Sequence, residues 1–177
     1  MIKIFLFLFL SLNTYADQNS PKLEKLFDQL LEVDEISIQN QIVSEIWYEW
    51  MKTDNSEIEK IMNSIPYFFQ TQNYDEAIES LNYVIDTDPD YAEGYNKRAT
   101  FYFMIGQYEK SMQDIETTLS FEPRHFGALD GMSRILIYYK KYNQALDVYN
   151  EMKKLMPNDI TIDMKIDRVN SMIYDDA

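Results

Sequence analysis

From residue 20 onward, apolar positions recur every three or four residues, the period of an amphipathic helix. Leu23, Leu26, Phe27, Leu30 and Leu31 make one stripe, opened by Ser20 and Pro21 as cap and first turn. Ile42, Val43, Ile46, Trp47, Trp50 and Met51 make a second, and its spacing puts both tryptophans on one face, which reads as core packing. After Pro157, the run Ile160, Met164, Ile166, Val169 and Ile173 predicts a closing helix.

Between these stripes the pattern repeats. Pro89, Pro123 and Pro157 are 34 residues apart, and so are Tyr74, Tyr108 and Tyr142. Ala77, Ser111 and Ala145 keep the same period, as do Ile65, Ala99 and Ser133. Four registers with one period mark an internal repeat. In the middle unit Tyr95, Ala99, Tyr102 and Phe103 mark one helix, Gly106 the turn, and Met112, Ile115 and Leu119 a second helix. Small Ala99 and Ser111 sit where the two helices approach closely. Proline ends each unit because it cannot continue a helix interior and restricts the residue before it.

The small residue at 77, 111 and 145, the tyrosine three positions earlier and the closing proline resemble the tetratricopeptide repeat. The resemblance covers Ile58 to Asp159, as units 58–91, 92–125 and 126–159. It implies an all-α fold, a right-handed α-α superhelix in which the first helix of each pair lines a concave groove. Residues 17–57 form a degenerate N-terminal helical pair, expected to cover the exposed face of the first repeat, and 160–177 a C-terminal capping helix and tail, because an end repeat cannot bury both faces alone. Pro66 falls inside a helix and predicts a kink or early break. Arg98 stands where a leucine is usual, so its stem is expected to pack while its head pairs with an acid such as Asp114.

Composition narrows the function. The net charge is −14, which disfavours nucleic acid and anionic lipid as broad partners. There is no cysteine and one histidine, so thiol chemistry and a histidine metal cluster are excluded within one chain. The sequence has no Gly-x-Ser-x-Gly elbow, phosphate loop or dinucleotide fingerprint, and no cofactor is expected. "DTDPD" (86–90) resembles the start of a calcium loop, but Tyr91 and Lys97 stand where that loop needs glycine and glutamate. Asp90 and Glu93 read better as a helix-start cap pair.

The groove of the middle unit is expected to show Asn96, Lys97, Thr100 and Phe103, and the next helix Asp130, Arg134 and Tyr138, with Asp130 and Arg134 spaced as an ion pair. Some tetratricopeptide proteins grip a partner's terminal carboxylate on this face. Here the matching positions carry Met62, Pro66, Lys97, Gly127 and Gly131, so that recognition is not inferred.

The joint "EPRHFGALDG" departs from its siblings. Asp90 follows Pro89 and Asn158-Asp159 follows Pro157, all good caps, whereas Arg124-His125 follows Pro123. Gly127 and Gly131 then strip one helix face, at roughly 1 kcal/mol each relative to alanine. Two readings stay open. Either a neighbouring helix approaches closely and His125 bonds a backbone group, or a cleft floor flanked by Lys97, Arg124 and His125 accepts a partner's backbone or carboxylate.

The first sixteen residues, "MIKIFLFLFLSLNTYA", place Lys3 before an apolar run and small Thr14 and Ala16 at its end. This resembles a secretory signal peptide cut before Asp17, and the run is short of the roughly 20 residues that span a bilayer. "AEGYNKRAT" through "EPRHFGALDG" resembles small exported bacterial tetratricopeptide proteins. The expectation is a periplasmic, non-catalytic protein- or peptide-binding protein of the cell envelope, not integral to the membrane after cleavage. The alternative is a structural or oligomerisation scaffold with no groove ligand. N-terminal sequencing of the purified native protein is expected to read from near Asp17; a chain that retains Met1 contradicts export with cleavage.

Overall fold

The computed structural model describes residues 20–176, so the leader-like residues 1–16 lie outside the described residues. Among the described residues the chain is nine α-helices without a strand. These are α1 (Pro21–Glu32), α2 (Ile36–Met51), α3 (Ser56–Thr71), α4 (Tyr74–Thr87), α5 (Ala92–Met104), α6 (Tyr108–Phe121), α7 (Phe126–Tyr138), α8 (Tyr142–Leu155) and α9 (Ile160–Asp175). None of them is long and apolar enough to cross a membrane.

The period of 34 is written in the backbone. The turns inside α3–α4, α5–α6 and α7–α8 each pass through one left-handed residue: Gln72 (φ 57°), Gly106 (φ 74°) and Lys140 (φ 56°). Each is followed by an N–H that reaches back to close the preceding helix: Asn73 to the Phe68 carbonyl, Gln107 to Tyr102 and Lys141 to Leu136. Those bonds satisfy carbonyls that a helix end otherwise leaves open. Glycine takes this conformation freely; glutamine and lysine accept it at a cost because the flanking helices fix the turn.

The small positions let paired helices meet. Ala77, Ala145 and Ser111 are buried, and the Ser111 hydroxyl donates to the Ala99 carbonyl at 2.7 Å, so this serine needs no water. Arg98 behaves as its position suggests. Its Nε and Nη2 donate to both Asp114 oxygens at 2.8 and 2.7 Å, and Nη1 donates to Asn82 Oδ1 at 2.7 Å, tying α4, α5 and α6 together.

Four expectations change. The helix containing Pro66 does not break; α3 runs on to Thr71, because Ile65 and Phe68 on either side of the proline are both buried in the α3–α5 core. Glu93 does not join Asp90 as a cap pair, since Tyr91 stands at the N-cap of α5 and Glu93 is withdrawn into the core. In α9 the buried face is Ile162 and Val169 with Ile166 and Ile173, while Ile160 and Met164 point outward. Asp159 sets that phase by accepting the Thr161 N–H at 2.7 Å as the α9 N-cap.

The largest departure concerns α1 and α2. They do not cover the first repeat. The α1–α2 hairpin crosses to the far end of the chain, where Leu23, Leu26, Phe27, Leu30, Ile42, Ile46 and Trp50 share a core with Phe126 and Leu129 of α7, Tyr149 and Met152 of α8 and Ile162 of α9. The turn between α1 and α2 is held there by Asn158, whose Nδ2 donates to the Val33 carbonyl and to Asp34 Oδ1 at 2.9 and 2.8 Å. The α3–α5 core is a separate cluster built around Ile58, Leu81 and Phe101.

Removing Asp114 leaves a guanidinium packed between three helices without its counter-ion. Asp114→Ala is expected to lower unfolding free energy by roughly 3 kcal/mol in urea titrations, with much of the loss recovered when Arg98 is also replaced by Met.

Candidate functional site

The odd joint after Pro123 is where the hairpin is fastened. His125 is wholly buried. It is the N-cap of α7, with Nδ1 accepting the Ala128 N–H at 3.1 Å, so a ring nitrogen does what the Asp159 carboxylate does at the start of α9. That fixes the ring proton on Nε2, which donates to Glu93 Oε2 at 2.9 Å. The ring face stacks on Trp50 at 4.1 Å between centroids and 18° between planes. One side chain therefore ties α7, α5 and α2 together.

Glu93 is held as a carboxylate. Burial by itself raises its pKa, but the nearby Lys97 charge and the hydrogen bond from His125 outweigh it and hold it down at about 2. Lys97 pairs with Glu93 and lies 5.0 Å above the Trp47 ring, a cation on an aromatic face. Arg124 pairs with Glu122 and with Glu24 of α1, both at 2.9 Å, and its guanidinium covers Phe27 at 4.2 Å. Glu49 of α2 is likewise buried; desolvation raises its pKa, but Lys22 and Lys52 donate to it at 2.8 and 2.6 Å and bring it below the usual range.

Both glycines of α7 are explained by close approach, from different sides. A Cβ on Gly127 would lie 2.6 Å from Trp47 Cη2, so the bare backbone there is the seat of that indole. A Cβ on Gly131 would meet only the Ile115 Cδ1 methyl at 3.1 Å. Beside Gly131 lies an open pocket of about 300 Å³ between α5, α6 and α7. Its size is at the lower end of the usual range for ligand pockets, roughly 300–1,000 Å³.

The residues singled out from sequence divide into two groups. Asn96, Thr100, Phe103, Gly127, Gly131 and Arg134 line this pocket together. Lys97, Arg124 and His125 do not line it; they face the hairpin, and of the two readings of the joint the structure gives close helix approach with His125 capping a backbone N–H. Asp130, also expected on the groove, lines the pocket too, whereas Tyr138 does not and packs against Tyr108 at 4.2 Å between ring centroids; the pocket gains Met104 of α5 and Ser111 and Ile115 of α6.

Its chemistry is an apolar floor with a sparse polar rim. Ala99, Phe103 and Ile115 supply the floor. Asn96 Nδ2 is committed to Glu93 Oε2 at 2.9 Å, which leaves Oδ1 as the atom an incoming N–H can use. Arg134 donates through Nε to Asp130 Oδ2 at 2.8 Å, and its side chain is 59% exposed, so the Nη donors of the guanidinium stand at the rim. Lys165 of α9 holds the other Asp130 oxygen at 2.6 Å. Burial raises the Asp130 pKa, and the two cations more than reverse it.

The hairpin residues that complete the clamp were missed as such. Trp47 and Trp50 are legible as core residues, but nothing in one sequence says which distant helix they meet.

A family model described as TPR repeat matches residues 67–106. A TPR repeat-containing protein of Rhizobium etli is 38% identical over 140 residues, spanning 74% of this chain and 69% of its own length. Hsp70-Hsp90 organizing protein 3 of Arabidopsis thaliana is 27% identical over 90 residues, which is 51% of this chain and 16% of that protein. Among solved structures, the first TPR of Spaghetti bound to an HSP90 peptide aligns with a TM-score of 0.63 at 18% identity, covering 69% of this chain and 99% of that one. The last likeness is one of fold.

The two glycines respond differently to a methyl group. Gly127→Ala forces the Trp47 ring off its seat and is expected to cost about 1–3 kcal/mol. Gly131→Ala displaces only a side-chain methyl, and the gain in helix propensity, about 1 kcal/mol, offsets it, so stability is expected to change little. Thermal unfolding of the two variants checks the order; equal losses contradict the assignment of Trp47 to Gly127.

Proposed function

Since the chain belongs to the tetratricopeptide repeat family, we propose that it is a non-catalytic member that binds a protein or peptide segment in the pocket between α5 and α7, and that it acts in the bacterial cell envelope. The observation that carries this reading is the division of the groove. The Trp47 indole of the hairpin covers Lys97 and one side of Gly127, and the part lined by Asn96, Thr100, Phe103, Gly131 and Arg134 stays open. An extended segment would place an apolar side chain on the Ala99–Phe103–Ile115 floor and a backbone N–H on Asn96 Oδ1. Two relatives support a binding role: one solved neighbour holds an HSP90 peptide, and another relative is an Hsp70-Hsp90 organizing protein. The envelope location rests on the leader-like sequence of residues 1–16.

The charge distribution is in keeping with a segment entering here. The chain carries −14 overall, and α4 holds Asp75, Glu76, Glu79 and Asp86 without a basic residue. In contrast, the charged side chains that line the pocket are Asp130 and Arg134, which pair with each other. Like-charge repulsion thus falls away at the pocket.

A second reading, a scaffold without a groove ligand, is favoured by the hairpin itself, which spends much of the groove on the chain's own residues. A photocrosslinking amino acid at exposed Thr100 separates the two. Binding in the pocket predicts a discrete adduct in the native envelope from position 100, absent from the same probe at exposed Glu79 of α4 and lost when Arg134 is changed to Glu. No adduct at 100, or equal adducts at 100 and 79, supports the scaffold instead.

A further inference from the structure

Three joints between successive helix pairs contain proline: Pro89 before α5, Pro123 before α7 and Pro157 before α9. The joint between the α1–α2 hairpin and α3 differs. It consists of Lys52, Thr53, Asp54 and Asn55, with neither proline nor glycine. Both its ends are extended, Lys52 at φ −65° and ψ 141° and Asn55 at φ −95° and ψ 110°. Without proline or glycine, and with Asn55 capping α3 through the Glu57 and Ile58 N–H groups, this joint can straighten while both helices keep their ends.

Apart from Met51, which packs on the α3–α5 core and whose carbonyl accepts the Tyr91 hydroxyl at 3.0 Å, the hairpin does not pack on its sequence neighbour. A cavity of about 560 Å³ separates α2 from α3, lined by Ser44, Trp47 and Tyr48 on one side and Glu59, Met62 and Asn63 on the other. The apolar partners of the hairpin are instead on α7, α8 and α9, and its polar fastenings are His125, Arg124 and Asn158. A terminal element bound by long-range contacts and tethered by a short joint is the arrangement from which identical elements are exchanged between protomers.

We propose that the α1–α2 hairpin exchanges between two copies of this chain, the hairpin of each seated on α7–α9 of the other. Simple release is costly, because Leu23, Leu30, Ile46 and Trp50 would lose their burial together. Exchange avoids that cost. A second copy brings an identical hairpin, so the Trp50–His125 stack, the Glu24–Arg124 pair and the Asn158 bonds all form again, and only the linker changes. The net charge of −14 sets two copies against each other, so exchange is favoured by high protein concentration and by salt. The exchanged dimer keeps an α5–α7 pocket on each copy, which gives it two pockets for a partner with two segments. The exchange itself does not depend on what enters the pocket.

The native sequence has no cysteine, which makes introduced thiols unique. Asp34 and Asn158 meet at 2.8 Å where the hairpin is seated. Chains carrying only Asp34→Cys and chains carrying only Asn158→Cys are incubated together at high concentration and salt, treated with a short bismaleimide, and mapped by mass spectrometry. The doubly substituted chain at high dilution serves as the in-chain control, and light scattering gives the mass of the unsubstituted chain. Exchange predicts a 34–158 link between chains in the mixture and a dimer that grows with concentration. A mixture without the link, while the doubly substituted chain links within itself and the unsubstituted chain stays monomeric, overturns the proposal. Absence of the link in both also overturns it, since the hairpin then does not occupy the seat.

Discussion

A buried imidazole holds this molecule's two halves together. His125 caps α7 through Nδ1, reaches Glu93 of α5 through Nε2 and stacks on Trp50 of α2. The three contacts constrain one another. The cap decides which nitrogen carries the proton, the proton decides that Nε2 donates, and the carboxylate that receives it must be ionised. Lys97 keeps Glu93 ionised and at the same time covers Trp47. A buried carboxylate without such partners would be expensive; with Oε2 hydrogen-bonded and Oε1 ion-paired to Lys97, it specifies where the hairpin sits. The indole Nε1 of Trp50 has no hydrogen-bond partner among the described residues, which adds a cost of about 1–3 kcal/mol that the surrounding ring contacts offset.

The fastening determines what surface is left for a partner. A solenoid of helix pairs offers a continuous groove along its first helices, and here that groove is shared between the chain's own N-terminus and an open pocket. Gly127 and Gly131, four residues apart on α7, mark the boundary. The first is bare because an indole rests on it, and the second is bare beside the pocket floor. Asp130 lies at the same boundary, joined to Arg134 at the pocket rim and to Lys165 of α9.

Much of the repeat was legible in the sequence, because local rules generate it. Proline, the small positions and the turn residues recur at 34, and the left-handed turns at Gln72, Gly106 and Lys140 recur with them. The Arg98–Asp114 pair could be anticipated because a charge at an apolar position of one helix needs an acid on the helix beside it. The seat of the hairpin could not be anticipated. Its stripe shows that α1 and α2 are amphipathic, but an apolar stripe fits any apolar surface, and the surface it meets lies more than seventy residues away. The sequence did carry a trace of it: Arg124-His125 where a cap belongs, followed by two helix glycines. Those residues were legible as an anomaly, and both the close-approach and the cleft readings started from them. Seven of the residues singled out, Asp130 among them, do converge on one pocket, since helix periodicity suffices to place residues on a common face. Lys97, Arg124 and His125 were drawn away by a tertiary contact that periodicity cannot encode.

Both tryptophans of the chain are in α2, so tryptophan emission, excited to the red of tyrosine absorption, reports on the hairpin alone. The most direct measurement is the emission and iodide quenching of Trp47 and Trp50 in the native chain and in His125→Ala, with helix content followed by circular dichroism. A hairpin fastened through His125 gives blue-shifted, protected emission in the native chain, and in the variant a red shift and open quenching while the solenoid stays helical. Tryptophans that remain as protected in the variant as in the native chain would contradict the account.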